Sequence, residues 1–142
     1  TKEELKKYLP HREPMLLIDE ATIHEDRVAR SKYHITSEEF FLKGHYPGQP
    51  VVPGVILCEI MAQSCALLLK DDLIGRIPLY AGIENVRFKN PVLPGDTVEV
   101  EAKLSNKRAM MYFCNAKLSV NGKVCALGNL SFALIDDTRE NK

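Results

Sequence analysis

The sequence predicts an α+β protein in which an antiparallel sheet packs on one long apolar helix. The helix is predicted at 53–70, because its apolar run is too long for a strand and Pro53 suits a first helical turn. The sheet is predicted because the chain after residue 78 contains β-forming segments separated by turn residues. Among these turns, Asn121-Gly122 is the strongest hairpin signal.

The predicted helix is apolar nearly all round, which is typical of a helix covered on most of its sides. A flat sheet that meets one side cannot provide this cover. Either the sheet curls around the helix or a second subunit covers the remainder, or both. The apolar run is shorter than the roughly 20 residues that a bilayer span requires, so we expect no membrane segment.

Shorter elements are predicted on both sides of the helix. Thr1-x-x-Glu4 resembles a capping box that opens a short helix, which Pro10 ends. We find no repeat, low-complexity tract or linker, which predicts a single domain over 1–142. The remaining predicted elements are a strand at 15–19, two strand arms at 21–35 with a turn at 25–27, one helical turn at 37–41, and strands at 79–89, 97–106, 109–120 and 123–135.

Composition excludes several classes of function. The chain has 142 residues, 45% of them hydrophobic, which is enough for one ordered core. The 19 basic residues balance 19 acidic ones, so no overall field attracts nucleic acid or an anionic membrane. The four cysteines have no C-x-x-C spacing and lie among apolar neighbours. Reduced, buried thiols and a charged N-terminal segment without a signal pattern predict a cytoplasmic protein.

Glu59 needs a physical explanation, because a carboxylate among apolar residues costs free energy unless it is paired or used. On a helical wheel Gln63 lies one turn away on the same side, together with Ala62 and Ala66, which we expect to leave space for a pocket. Burial raises a carboxyl pKa, whereas the helix N-terminus favours the anion only weakly at this distance. We therefore expect Glu59 to hold a proton near neutral pH, as a general acid does.

His45 and Gly54 supply complementary groups. His45 lies in the 44–53 loop, which three prolines restrict, and a neutral imidazole can accept a proton. The Gly54 N–H is the first free donor of the predicted helix, and no side chain blocks its approach to a carbonyl. Base, acid and carbonyl donor together fit proton abstraction next to a carbonyl, followed by loss of a protonated leaving group.

Each of these residues also has a structural interpretation. A histidine in a loop rich in glycine and proline is commonly an ordinary hydrogen-bonded residue, and a glutamate in an apolar helix is commonly paired with arginine or lysine. A metal site is disfavoured, because His45 and Glu59 lack the usual ligand spacing and no third ligand is evident. From the residues alone, the catalytic and structural interpretations both stay open.

Three segments carry a resemblance to one family: LPHREPMLLIDE (9–20), GHYPGQPVVPGVILCEIMAQ (44–63) and RFKNPVLPGDTVEVE (87–101). They resemble the (3R)-hydroxyacyl-[acyl-carrier-protein] dehydratases of type II fatty acid synthesis, the FabZ family. The resemblance implies a hotdog fold, in which an antiparallel sheet wraps around one long central helix. It also implies homodimers, which commonly assemble into hexamers, and a reaction without a metal or other cofactor.

The resemblance further implies roles for individual residues. His45 would remove the C2 proton of a 3-hydroxyacyl thioester, and Glu59 of the facing protomer would protonate the departing 3-hydroxyl. Gly54 would donate to the thioester carbonyl, Gln63 would orient the carboxyl and Val55 would contact the substrate. The product would be a trans-2-enoyl thioester and water. Glutamate rather than aspartate at position 59 favours this family over the related dehydratase–isomerase.

The implied substrate travels on the phosphopantetheine arm of an acidic acyl carrier protein, so we expect a local basic patch. The candidates are Arg87 with Lys89, or Lys107 with Arg108. Two rival functions are a thioesterase and a non-catalytic acyl-binding sensor. Release of free thiol would indicate the thioesterase, and saturable binding without turnover would indicate the sensor.

Overall fold

The structure is a computed structural model of one chain, and it describes residues 2–6, 9, 15–23, 26–36, 39, 42, 51–70 and 75–136. The elements in chain order are α1 (Lys2–Leu5), β1 (Glu20–Ile23), β2 (Ala29–His34), α2 (Gly54–Leu67), β3 (Arg76–Phe88), β4 (Thr97–Arg108), β5 (Met111–Val120) and β6 (Lys123–Asp136). No helix in these ranges is long and apolar enough to cross a membrane.

All six strands belong to one antiparallel sheet in the order β1-β2-β4-β5-β6-β3. Helix α2 lies across the sheet and packs mainly on β2, β4, β5 and β6. Buried Leu57 and Met61 of the helix meet buried strand residues such as Val100, Leu118 and Phe132 in one core cluster. A long helix packed across an antiparallel sheet is the hotdog arrangement, so the predicted fold class is confirmed.

The predicted hairpins are confirmed in the sheet. Asn121 and Gly122 have φ angles of 51° and 81° and connect β5 to β6 through the Val120–Lys123 pair. Both residues are in the left-handed region, which a two-residue hairpin turn requires and which asparagine and glycine tolerate best. Upstream, β1 and β2 pair from Ile23–Ala29 outward, as the two predicted strand arms require.

The predicted strand at 15–19 is wrong. The first strand of the described residues begins at Glu20, and residues 15–19 are not part of a strand, although the Asp19 N–H donates to the Lys32 carbonyl of β2. Leu16, Leu17 and Ile18 are all buried in succession, and the Leu17 N–H bonds to a side chain of α2 instead of a neighbouring strand. The predicted helical turn at 37–41 lies almost wholly outside the described residues.

Strand β3 forms one edge of the sheet and pairs there only with β6 among the described strands. The directly opposed pairs Tyr80–Phe132 and Ile83–Leu130 place both β3 residues on the same sheet face as the core that α2 covers. Tyr80 and Ile83 nevertheless stay 47% and 43% exposed, because α2 packs mainly on the other strands. The helix side of β3 therefore carries uncovered apolar surface.

Candidate active site

Gln63 is the centre of a hydrogen-bond network that orients Glu59. Its side chain is buried, with 1% of the residue exposed. The amide oxygen accepts a hydrogen bond from the Leu17 N–H at 2.9 Å. The amide nitrogen donates to the Met15 carbonyl at 2.7 Å and to Glu59 Oε2 at 3.1 Å. Because the backbone partners fix which end of the amide is nitrogen, the Glu59 carboxyl faces a donor whose orientation is locked.

The Glu59–Gln63 pair follows from helical geometry, since residues four apart lie on the same face of a helix. What the helical wheel does not reveal is the chain that covers this face. Ala66 is buried in a cluster with Leu5, Leu16 and other apolar residues of the N-terminal segment. The prediction that Ala66 leaves space for a pocket is therefore wrong, because this segment fills the space.

Tyr80 approaches Glu59 from strand β3. Burial raises the pKa of Tyr80, and the Glu59 carboxylate raises it further through its charge and a side-chain hydrogen bond. The ring lies edge-on to Phe132, with centroids 5.6 Å apart and an interplanar angle of 67°. Sequence analysis missed Tyr80, because only the register of β3 against β6 brings it to the helix.

The start of α2 presents a backbone donor at Gly54. Pro53 precedes the helix with φ −58° and ψ 143° and supplies no side-chain cap. Within the described residues the Gly54 N–H has no acceptor. The Phe88 ring lies directly against Gly54, since a Cβ at this position would come within 2.9 Å of Phe88 Cζ. Glycine is needed here for the close approach of ring and backbone.

An open cleft of ≈ 570 Å³ lies beside this helix start. Val55 is at its rim and is 76% exposed, so its side chain is accessible to a ligand. The cleft is mostly apolar, and the cationic Lys89 is among its lining residues. The described residues that line it are Val51, Val52, Gly54, Val55, Leu57, Phe88, Lys89, Asn90 and Pro91.

The structure thus brings Glu59 and Gln63 into contact and places Gly54 and Val55 at the beginning of the same helix. Gly54 precedes Glu59 by five residues, or about 7.5 Å along the helix axis. His45 lies outside the described residues. An oriented carboxyl, a backbone donor without an acceptor in the described ranges and an adjoining apolar cleft can together accommodate a thioester and protonate a leaving group.

Comparison with known proteins decides the family. The FabA-like domain family matches residues 9–129. A relative from Clostridium perfringens, named 3-hydroxyacyl-[acyl-carrier-protein] dehydratase FabZ, is 42% identical over 134 residues, which is 92% of this chain and 96% of the relative. A relative of the same name from Herpetosiphon aurantiacus is 41% identical over 139 residues, or 96% and 99% of the two chains. This chain belongs to the FabZ family.

A solved structure agrees on the fold of this FabZ family member. A chain of the dehydratase heterocomplex ApeI:P from Xenorhabdus doucetiae superposes with a TM-score of 0.80 at 19% identity. The match covers 96% of this chain and 94% of that one. At this identity the likeness supports the fold alone.

We predict that Gln63→Leu lowers both stability and turnover. It leaves the buried Leu17 N–H and Met15 carbonyl unpaired, which should reduce the free energy of unfolding by about 2–5 kcal/mol in urea titrations. It also removes the bond that orients the Glu59 carboxyl, so the decrease in kcat should be larger than the loss of folded protein explains.

Ser64→Ala is the matched control, because Ser64 is buried one residue further on and bonds Ile60 and Ser31 instead. It should lower stability and leave kcat unchanged. Equal kcat values for the two variants would contradict the orienting role of Gln63.

Proposed function

We propose that this chain dehydrates (3R)-hydroxyacyl-[acyl-carrier-protein] to trans-2-enoyl-[acyl-carrier-protein] in type II fatty acid synthesis. One observation carries the proposal: the neutral amide of Gln63 orients the Glu59 carboxyl. Both residues lie on α2, which begins beside the apolar cleft. Membership of the FabZ family supports the same reaction.

In the proposed reaction, His45 takes the C2 proton of the substrate and Glu59 gives its proton to the 3-hydroxyl. The C3–O bond breaks, water leaves, and the electron pair of the C2–H bond becomes the C2–C3 double bond. The Gly54 N–H stabilises the negative charge that develops on the thioester carbonyl. One proton is taken and one is given, so transfer from His45 back to Glu59 restores the starting state.

We also propose that the site is shared within a homodimer, His45 of one protomer facing Glu59 of its partner, and that dimers assemble into a hexamer. Strand β3 supports the dimer, because it is a 13-residue edge strand with exposed apolar side chains. Natural proteins seldom leave such an edge uncovered. The partner would extend the sheet and close the cleft.

The single domain and the cytoplasmic location also remain proposals. One sheet includes strands from Glu20 to Asp136, and Leu5 of α1 packs in one cluster with Leu67 of α2, which supports one domain. The four cysteines are free thiols, and three of them are buried, which supports a reducing compartment.

The deciding experiment is incubation of the wild-type protein with 3-hydroxybutyryl-carrier protein. Enoyl absorbance should rise without release of free thiol. Thiol release would instead identify a thioesterase, and saturable binding without either product would identify a sensor. A series of longer acyl chains would then define chain-length preference.

We predict that Glu59→Gln retains the fold and loses dehydration by about 10²–10⁴-fold, the usual contribution of general acid catalysis. Glutamine keeps the size of the side chain and cannot donate the required proton. Circular dichroism checks the fold and enoyl absorbance checks turnover. Near-normal turnover would remove Glu59 from the mechanism.

Mixed dimers test whether the site is shared. Unfolding and refolding equal amounts of His45→Ala and Glu59→Gln protein produces hybrid dimers in which one of the two sites is intact. We predict recovery of about a quarter of wild-type activity, because half of the dimers are hybrids and each has one working site. Each inactive parent refolded alone is the control. No recovery despite confirmed hybrid formation would place both groups in one chain.

The position of Lys89 supports Arg87 with Lys89 as the basic patch. Lys89 lines the cleft beside Gly54, so a cation there can attract an acidic carrier protein whose arm enters the cleft. Lys107 instead lies 5.1 Å over the Tyr112 ring, in a cation–π contact. We therefore propose that the carrier protein docks next to Lys89.

We predict that Lys89→Glu raises KM for the carrier-protein substrate roughly 3–10-fold, as expected for reversal of one charge at the rim of an interface. KM for a thioester of free pantetheine should change much less, since that substrate lacks the acidic protein. Lys107→Glu is the charge-matched control and should leave both KM values close to wild type. A larger effect of Lys107→Glu would move the docking site to the β4–β5 end of the sheet.

A further inference from the structure

Strand β3 is irregular at the point where it approaches Glu59. Tyr80 pairs with Phe132, but the next pair along β3 is Gly82 with Ser131, so one extra residue is inserted between them. Such bulges commonly redirect a side chain and are frequent next to active sites. Here the bulge follows directly after the tyrosine that reaches the helix.

The Tyr80 ring contacts the core through its cross-strand partner. Its cross-strand partner Phe132 is 1% exposed and belongs to the cluster beneath α2. Opposed residues of an antiparallel pair project from the same face, so the Tyr80 side chain lies on the helix side of the sheet. The ring makes an edge-on contact with Phe132, and a side-chain hydrogen bond joins the Tyr80 hydroxyl to the Glu59 carboxyl.

We propose that Tyr80 is a positioning residue for the general acid, and that its hydroxyl donates a hydrogen bond to the carboxylate that Glu59 becomes after protonating the leaving hydroxyl. This inference rests on the proposed function and deepens it. Gln63 and Tyr80 approach the same carboxyl from two different elements, α2 and β3. Both are neutral donors, so they stabilise the anion without the permanent charge of a lysine or arginine.

The titratable groups that act on the Tyr80 hydroxyl, among the described residues, are Glu59 and the thiols of Cys58 and Cys65, all on α2. Burial raises the pKa of Cys58, and a hydrogen bond that the Cys65 thiol donates to Cys114, together with burial, raises the pKa of Cys65. Both thiols are therefore neutral around pH 7. On the described part of the chain, Glu59 is thus the group near Tyr80 whose charge changes during the reaction.

The consequence for pH dependence has a definite sign. A hydroxyl that donates to the carboxylate favours the anion, so removing it makes Glu59 hold its proton to higher pH. The proton-bearing form is the active one in the proposed mechanism. The alkaline limb of the kcat profile should therefore move to higher pH in Tyr80→Phe, by about 0.5–1 pH unit. The plateau should fall roughly 3–10-fold, because the anion formed in the transition state is less stabilised.

The test compares wild type with Tyr80→Phe, which keeps the ring on Phe132 and removes only the hydroxyl. Enoyl formation is measured from pH 5 to pH 10. In parallel, ¹³C NMR of glutamate-labelled protein follows the Glu59 carboxyl, assigned from the Glu59→Gln spectrum. Both the alkaline limb and the NMR midpoint should move upward. Superimposable profiles and midpoints would overturn the proposal, and so would a lower plateau without movement of either.

Tyr33→Phe is the matched control, because the Tyr33 hydroxyl donates to another glutamate, Glu39 Oε2, at 3.3 Å. This variant also loses a tyrosine hydroxyl that donates to a glutamate, but the tyrosine lies on β2. It should leave the alkaline limb of the kcat profile and the NMR midpoint of Glu59 unchanged. The NMR midpoint of Glu59 does not depend on turnover. The proposed function and the positioning role of Tyr80 can therefore fail separately. Absence of enoyl product from wild type would reject the proposed function, whereas an unshifted midpoint would reject the role of Tyr80.

Discussion

The site depends on the bonds of one buried amide. Gln63 holds the backbone at Met15 and Leu17 and, with the same nitrogen, the carboxyl of Glu59. A lysine or arginine at this position would also pair with Glu59, but it would stabilise the anion so strongly that the proton needed for the proposed general acid catalysis would be lost. A neutral amide orients the carboxyl and leaves both protonation states accessible. The Gln63 amide is buried, so moving the N-terminal segment away from the helix would leave buried hydrogen-bonding groups without partners. The free-energy cost of these unpaired groups keeps the segment against the helix.

The same bonds explain why the 15–19 segment is not a strand. Residues 15–19 are mostly apolar, as in a buried strand, so the local sequence pattern predicts a strand there. However, its backbone groups at Met15 and Leu17 are satisfied by a glutamine of α2 rather than by a neighbouring strand. Backbone bonds to β2 start at Asp19, whose N–H donates to the Lys32 carbonyl, and β1 begins at Glu20. The segment thus covers the part of the helix that includes Gln63 and Ala66.

Sequence analysis predicted those features that depend on local geometry. The Glu59–Gln63 pair follows from helical periodicity, and the hairpin at 121–122 follows from the φ angles that Asn-Gly tolerates. It could not predict Tyr80, whose approach to Glu59 depends on the register of β3 against β6 and on a bulge. Nor could it predict the burial of Ala66, because a helical wheel gives the direction of a side chain and no information on the segment that covers it. What was missed is non-local in each case.

Strand β3 connects two properties that are otherwise separate. Its helix side presents Tyr80 next to Glu59, and Ile83 on the same side is still 43% exposed because α2 packs mainly on other strands. Its outer edge is unpaired within the described chain. A partner that pairs with this edge would hold the bulged segment in place and would cover the apolar surface beside the carboxyl. Dimerisation and positioning of the general acid would then be two consequences of one contact, because both depend on where the backbone of β3 lies.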